Sequence, residues 1–88
     1  MYVHLGRGRI IRVSEIIGIF TVKENKDFYK RLKNKKGECY EAENLSEYGV
    51  VDSVILTGDK MYLSSISALT LQKRINQILI YHNGGNNV

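Results

Sequence analysis

The side chains of this chain best suited to chemistry are its cations. Arg7 and Arg9 alternate with glycine in Gly6-Arg7-Gly8-Arg9, and Arg12 follows three residues later. A guanidinium presents five donors in a planar fork that matches phosphate or carboxylate. The cluster is therefore a candidate grip on an anionic partner, with a solvated hairpin tip as the plainer explanation. Arg9 and Arg12 point to opposite faces in strand geometry, so Arg7 with one of them would make the patch. Lys30 and Lys33 fall on one side of a predicted helix with Lys26, and Lys73-Arg74 stand together opposite the apolar stripe of another. Phosphate contacts need charge and reach but little fixed spacing, and an ordinary solvated helix face has the same appearance. The candidate nucleic-acid-binding residues are Arg7, Arg9, Arg12, Lys30, Lys33, Lys73 and Arg74.

Catalytic chemistry finds no comparable support. His4 and His82 lie far apart, with no neighbouring His or Cys at zinc-ligand spacing. Cys39 has no motif around it and reads as a packed strand residue. The carboxylates between Glu38 and Asp52 lack the order of a calcium loop. Gly6-Arg7-Gly8 is too short for a phosphate-binding loop and joins two strands, not a strand to a helix. No catalytic residue, metal site or cofactor is expected, and the sequence predicts a protein that is not an enzyme.

These residues must be positioned by a small body. Eighty-eight residues make one domain, able to bury roughly 60–65% of its unfolded surface, so oligomerisation would be an unsurprising aid to stability. The leading residues are strand-like, without the basic-then-apolar order of a signal peptide. Apolar runs all fall short of the ~20 residues of a membrane span. A lone cysteine precludes an internal disulfide, which favours the cytoplasm. The formal charge of +4 conceals a dipole: residues 23–36 carry seven basic and two acidic groups, whereas residues 38–52 carry five acidic groups and no Lys or Arg. A basic surface suits phosphate, and paired blocks of opposite sign suit self-association.

Val3 and Leu5 alternate with Tyr2 and His4, the period of a strand. The glycines at 6 and 8 supply the positive φ of a hairpin turn, and Arg9–Val13 returns as a second strand. Ile16–Val22 reads as a third strand, apolar enough to be buried on both faces. Glu24–Lys36 is a predicted helix with Phe28, Tyr29 and Leu32 on one face and Gly37 as its stop. Glu38–Ala42 is a possible strand, and Asn44–Gly49 is loop-like. Ser53–Thr57 and Lys60–Leu63 flank Gly58-Asp59, a two-residue hairpin signal. Ser67 is placed to cap a last helix, with Leu71, Ile75, Ile78 and Leu79 on its inner stripe. The order βββαβββα predicts an α+β domain on a small, mostly antiparallel sheet, spanning residues 1–81, with residues 82–88 as a flexible tail.

Three ordered segments, "MYVHLG", "SEIIGIF" and "MYLSSISALTLQKR", resemble the RemA/RemB family of small bacterial extracellular matrix regulators, its B-type members most closely. The resemblance runs from Met1 to about Gln77, with residues 23–51 the variable part. It implies a cytoplasmic protein of the family that regulates biofilm matrix genes. A-type members are DNA-binding transcriptional regulators assembled into rings, with a subunit fold likened to the LytTR DNA-binding domain and DNA following the outside. They place a basic residue before the third strand, where this chain has Glu15, and a basic pair before the fifth, where it has Val50, Val51 and Asp52. Arg7, Arg9 and Arg12 lie outside the shared motif, so DNA binding here requires a different basic surface.

Two functions follow as expectations. One is DNA binding by a homo-oligomer or ring, in which repeated subunits multiply modest phosphate contacts. The other is an assembly or interaction protein acting through protein partners such as a RemA-type regulator, in which charged blocks meet between subunits and DNA is not held directly. Neither involves a membrane.

Overall fold

The computed structural model describes residues 1–24, 27, 30 and 41–83. Among the described residues, two sheets and a C-terminal helix make up most of the regular structure. Strands β1 (Tyr2–Gly6) and β2 (Arg9–Arg12) form an antiparallel hairpin of their own. A single 3-10 turn, Val13–Glu15, leads on to β3 (Gly18–Thr21). Strands β4 (Glu41–Leu45), β5 (Ser53–Leu56) and β6 (Lys60–Ser64) follow, then helix α1 (Ala68–Asn83). The second sheet has the order β3-β5-β6-β4, antiparallel except for the parallel β4–β6 pair. The α+β class with mostly antiparallel pairing is as expected. The one sheet read from the sequence is two, because the first hairpin stacks on the second sheet and does not extend it.

That stacking follows from alternation. Val3, Leu5 and Ile11 form the inner face of the hairpin and join Leu45, Ile55, Tyr62 and Leu71 in one buried cluster. Tyr2 and Ile10 face outward, on the opposite side of the pleat. A buried hydroxyl ties the layers together: Ser64 Oγ donates to the Leu5 carbonyl at 2.6 Å and accepts the Ile66 N–H at 3.0 Å. The other face of the second sheet buries Val54, Leu56, Met61 and Leu63, with Phe20, Val22 and Val51 packed against them.

Several boundaries differ from the sequence reading. The third strand covers Gly18–Thr21, not Ile16–Val22, and its residues are only half-buried. It lies at one end of the second sheet, and the strand buried throughout is β5. An apolar run does not distinguish a central strand from the margin of a sheet. The fourth strand, described over Glu41–Leu45, runs three residues beyond the expected end at Ala42, because its pairing with β6 places Leu45 in the core. The predicted helix over Glu24–Lys36, with Phe28, Tyr29, Leu32 and Lys33, lies largely outside the described residues, as do Cys39 and Tyr40. Within it, Asp27 and Lys30 are helical and exposed.

The turn at Gly58-Asp59 forms as predicted, closed by the Thr57 N–H on the Lys60 carbonyl at 2.9 Å. Ser67 caps α1, its Oγ accepting the Thr70 N–H at 3.1 Å. Leu71 is wholly buried and Ile75 and Ile78 pack on the core, but Leu79 is 37% exposed and lies outside the stripe. The helix runs through Asn83. No described helix is long and apolar enough to cross a membrane.

Candidate nucleic-acid interface

The expected basic residues occupy quite different surroundings. Arg9 opens β2 directly after the turn of the first hairpin and is held by Glu43 on β4, with Nε to Oε2 at 2.6 Å and Nη2 to Oε1 at 2.7 Å. Lys60 Nζ approaches the same carboxylate at 3.4 Å. Glu43 thus gathers β2, β4 and β6, and the Arg9 fork is already engaged by a carboxylate of its own chain. Arg12 lies opposite Tyr2 in the ladder, its guanidinium carbon 6.0 Å from the ring centroid. The Tyr2 hydroxyl, and then Glu15, reinforce its positive form.

Arg74 does not stand away from the apolar stripe with Lys73. It is half-buried, and its Nη1 donates to the His4 carbonyl at 3.2 Å, fastening α1 to β1. Arg74 and Gln77 border a groove of about 560 Å³ floored by Val3 and Ile78. Three residues after Leu71 and four before Ile78, Arg74 flanks the apolar stripe and does not stand opposite it, and its long stem spans the boundary between core and solvent. Lys73, Lys30 and Arg7 are exposed. Neither they nor exposed Lys23 make a hydrogen bond or ion pair among the described residues.

The Glu43 hub has a measurable consequence. The Arg9 hydrogen bonds hold its carboxyl below the ordinary carboxylate range, against the opposing effect of desolvation. A carboxylate with a lowered folded-state pKa contributes stability above its unfolded value and loses it as the pH falls through the folded value. Thermal unfolding of wild type and Glu43→Gln should therefore differ most near about pH 7 and converge toward about pH 3. A gap of constant size across that range would show that the carboxylate charge is not responsible.

A second feature of the surface escaped the sequence reading. Among the described residues, Arg7 (φ 48°) and Tyr48 (φ 56°) are the non-glycine residues with positive φ. Each is the first residue of an X-Gly turn, followed by Gly8 (φ 75°) or Gly49 (φ 73°). Positive φ at both central positions is the requirement of a type I′ turn, where Asn, Asp or Gly is favoured first. An arginine or a tyrosine there costs about 1–2 kcal/mol. The two tips come together in space, since Arg7, Glu47 and Tyr48 line one depression of about 600 Å³.

The second tip is rigidly backed. The Val50 N–H bonds the Glu47 carbonyl at 3.1 Å. The Ser65 hydroxyl accepts the Glu47 N–H at 2.7 Å and donates to the Val50 carbonyl. At the first tip the Gly8 N–H donates to His4 Nε2 at 3.2 Å. Tyr48 stands 97% exposed on this scaffold. Its only trace in the sequence is a tyrosine before Gly49 in a loop-like stretch. The Ser65 anchor, 18 residues from Glu47, has no local signature. Val50 is exposed beside this tip, and Asp52 and Glu15 are also exposed. No group of three or more potential metal ligands gathers among the described residues.

The family profile described as RemA-like, extracellular matrix regulatory protein A-like, matches residues 2–75. The chain is also 33% identical over 79 residues to extracellular matrix regulatory protein B of Bacillus subtilis (strain 168), an alignment covering 84% of this chain and 89% of that protein. The matched span contains both hairpin tips, the Glu43 hub and the Arg74 anchor. With these two matches the chain belongs to the RemA-like family of extracellular matrix regulatory proteins.

Proposed function

We propose that this protein acts in the cytoplasm as a non-enzymatic regulator of extracellular matrix genes, binding promoter DNA as a homo-oligomer. The observation that carries the reading is the family match over residues 2–75, joined to the exposed, uncommitted cations Arg7, Lys30 and Lys73. A-type relatives are expected to contact DNA through basic residues at the positions of Glu15 and Val50–Asp52, which are not basic here. The first-hairpin tip supplies a different cation, and assembly multiplies it. A ring of LytTR-like subunits is the arrangement the family resemblance implies, and exposed Tyr2, Ile10, Ile17 and Leu69 offer apolar area for contacts between copies.

The Arg9–Glu43 pair supports a second reading, in which the protein assembles with itself or with a RemA-type partner and leaves DNA to that partner. Its strongest fork is spent within the chain, and its neighbouring loop lacks the basic pair. Titration of a labelled matrix-gene promoter duplex at low salt separates the two. Saturable binding by the purified protein is expected. Complete absence of binding by assembled protein, with assembly verified by light scattering, would leave only the partner reading.

A further inference from the structure

A tip used only to hold phosphate would need no ring and would avoid a carboxylate. The depression shared by the two X-Gly turns contains both, beside an arginine. An arginine fork binds phosphate or the acceptor edge of guanine. A carboxylate accepts from the exocyclic amino group of cytosine, and apolar contact suits the thymine methyl. A protruding ring also serves as a wedge against a base step. Each of these contacts needs a side chain that projects from a rigid base, which is the geometry of Tyr48 on the Ser65-anchored turn.

Resting on the DNA-binding reading above, we propose that Arg7, Glu47 and Tyr48 form a base-reading tip for double-stranded DNA. Arg7 holds the backbone or a guanine edge, Glu47 selects an amino-bearing base, and Tyr48 packs its ring against the base or sugar. Strain at the two turn positions is the structural mark of this role. Asparagine would satisfy either backbone better, but would present neither a guanidinium nor a ring. Among the described residues, the exposed lysines Lys23, Lys30 and Lys73 contribute charge without sequence information.

The test is Tyr48→Asn, which removes the ring and suits the left-handed backbone. Its melting temperature should rise or hold, while affinity for a matrix-gene promoter duplex should fall about tenfold with an unchanged salt slope. Glu47→Gln should narrow the preference for that duplex over a scrambled duplex of equal composition. Arg7→Ala should weaken binding and reduce the salt slope by about one for each subunit in contact. Wild-type protein that binds neither duplex overturns the DNA-binding reading and this one with it. Wild-type protein that binds while Tyr48→Asn binds equally well overturns the base-reading tip alone.

Discussion

Raising the salt concentration from about 50 to about 200 mM is expected to weaken DNA binding by about 10³-fold or more if several subunits engage the duplex together. The magnitude follows from counting free charges. Each neutralised phosphate adds about −0.9 to the slope of log affinity against log salt. Among the described residues, one subunit offers Arg7 and the exposed lysines Lys23, Lys30 and Lys73, of which two or three can face one duplex. Arg9 is discounted because Glu43 already holds its fork. Two or three contacts change affinity by only about ten- to fortyfold over that range, whereas six to ten contacts reach about 10³–10⁵-fold. Fluorescence anisotropy with a labelled duplex at stepped salt gives the slope directly. A slope between about −2 and −3 would indicate a single subunit on DNA and exclude a multi-subunit footprint.

Leu71→Ala is expected to cost about 2–5 kcal/mol of folding stability, the range for deleting a wholly buried leucine. Leu71 is the point at which the helix enters the cluster shared by the hairpin and the second sheet. Its loss would leave a cavity where three elements meet, and small domains hold only about 5–15 kcal/mol in total. Urea unfolding should show a lower midpoint with an unchanged slope. Leu79→Ala on the same helix, at a partly exposed position, should shift the midpoint much less. Equal effects of the two substitutions would mean that α1 does not pack through Leu71 as described.

Local signals were legible where the physics is local. The alternation of Tyr2–Leu5, the glycines of the first turn, the Gly58-Asp59 hairpin and the Ser67 cap each depend on residues within a few positions of one another. Each forms as read. Signals requiring a partner distant in the chain were not legible. Nothing near Ile16–Val22 reveals that β3 ends the second sheet, and nothing near Glu41 reveals that its strand runs parallel to β6. Arg74 illustrates the same limit for the site. Its spacing from Leu71 and Ile78 sets it at the edge of the inner stripe, but nothing local identifies its partner, the His4 carbonyl 70 residues away on β1.

The candidate interface divides along the same line. Sequence by itself determined the family, the α+β class, the excess of cations and the presence of a glycine-flanked Arg7. Those depend on residue type, order and short spacing. Only the tertiary structure decided which cations are free, because that depends on whether a carboxylate from another strand lies within reach. Arg9 finds Glu43 across 34 residues of chain, while Arg7, two residues earlier, finds no partner among the described residues. Tertiary structure also brought Tyr48 to Arg7. The two share a depression because separate turns from different sheets meet there, and each turn holds its leading side chain out into solvent on a backbone that glycine or asparagine would occupy more comfortably.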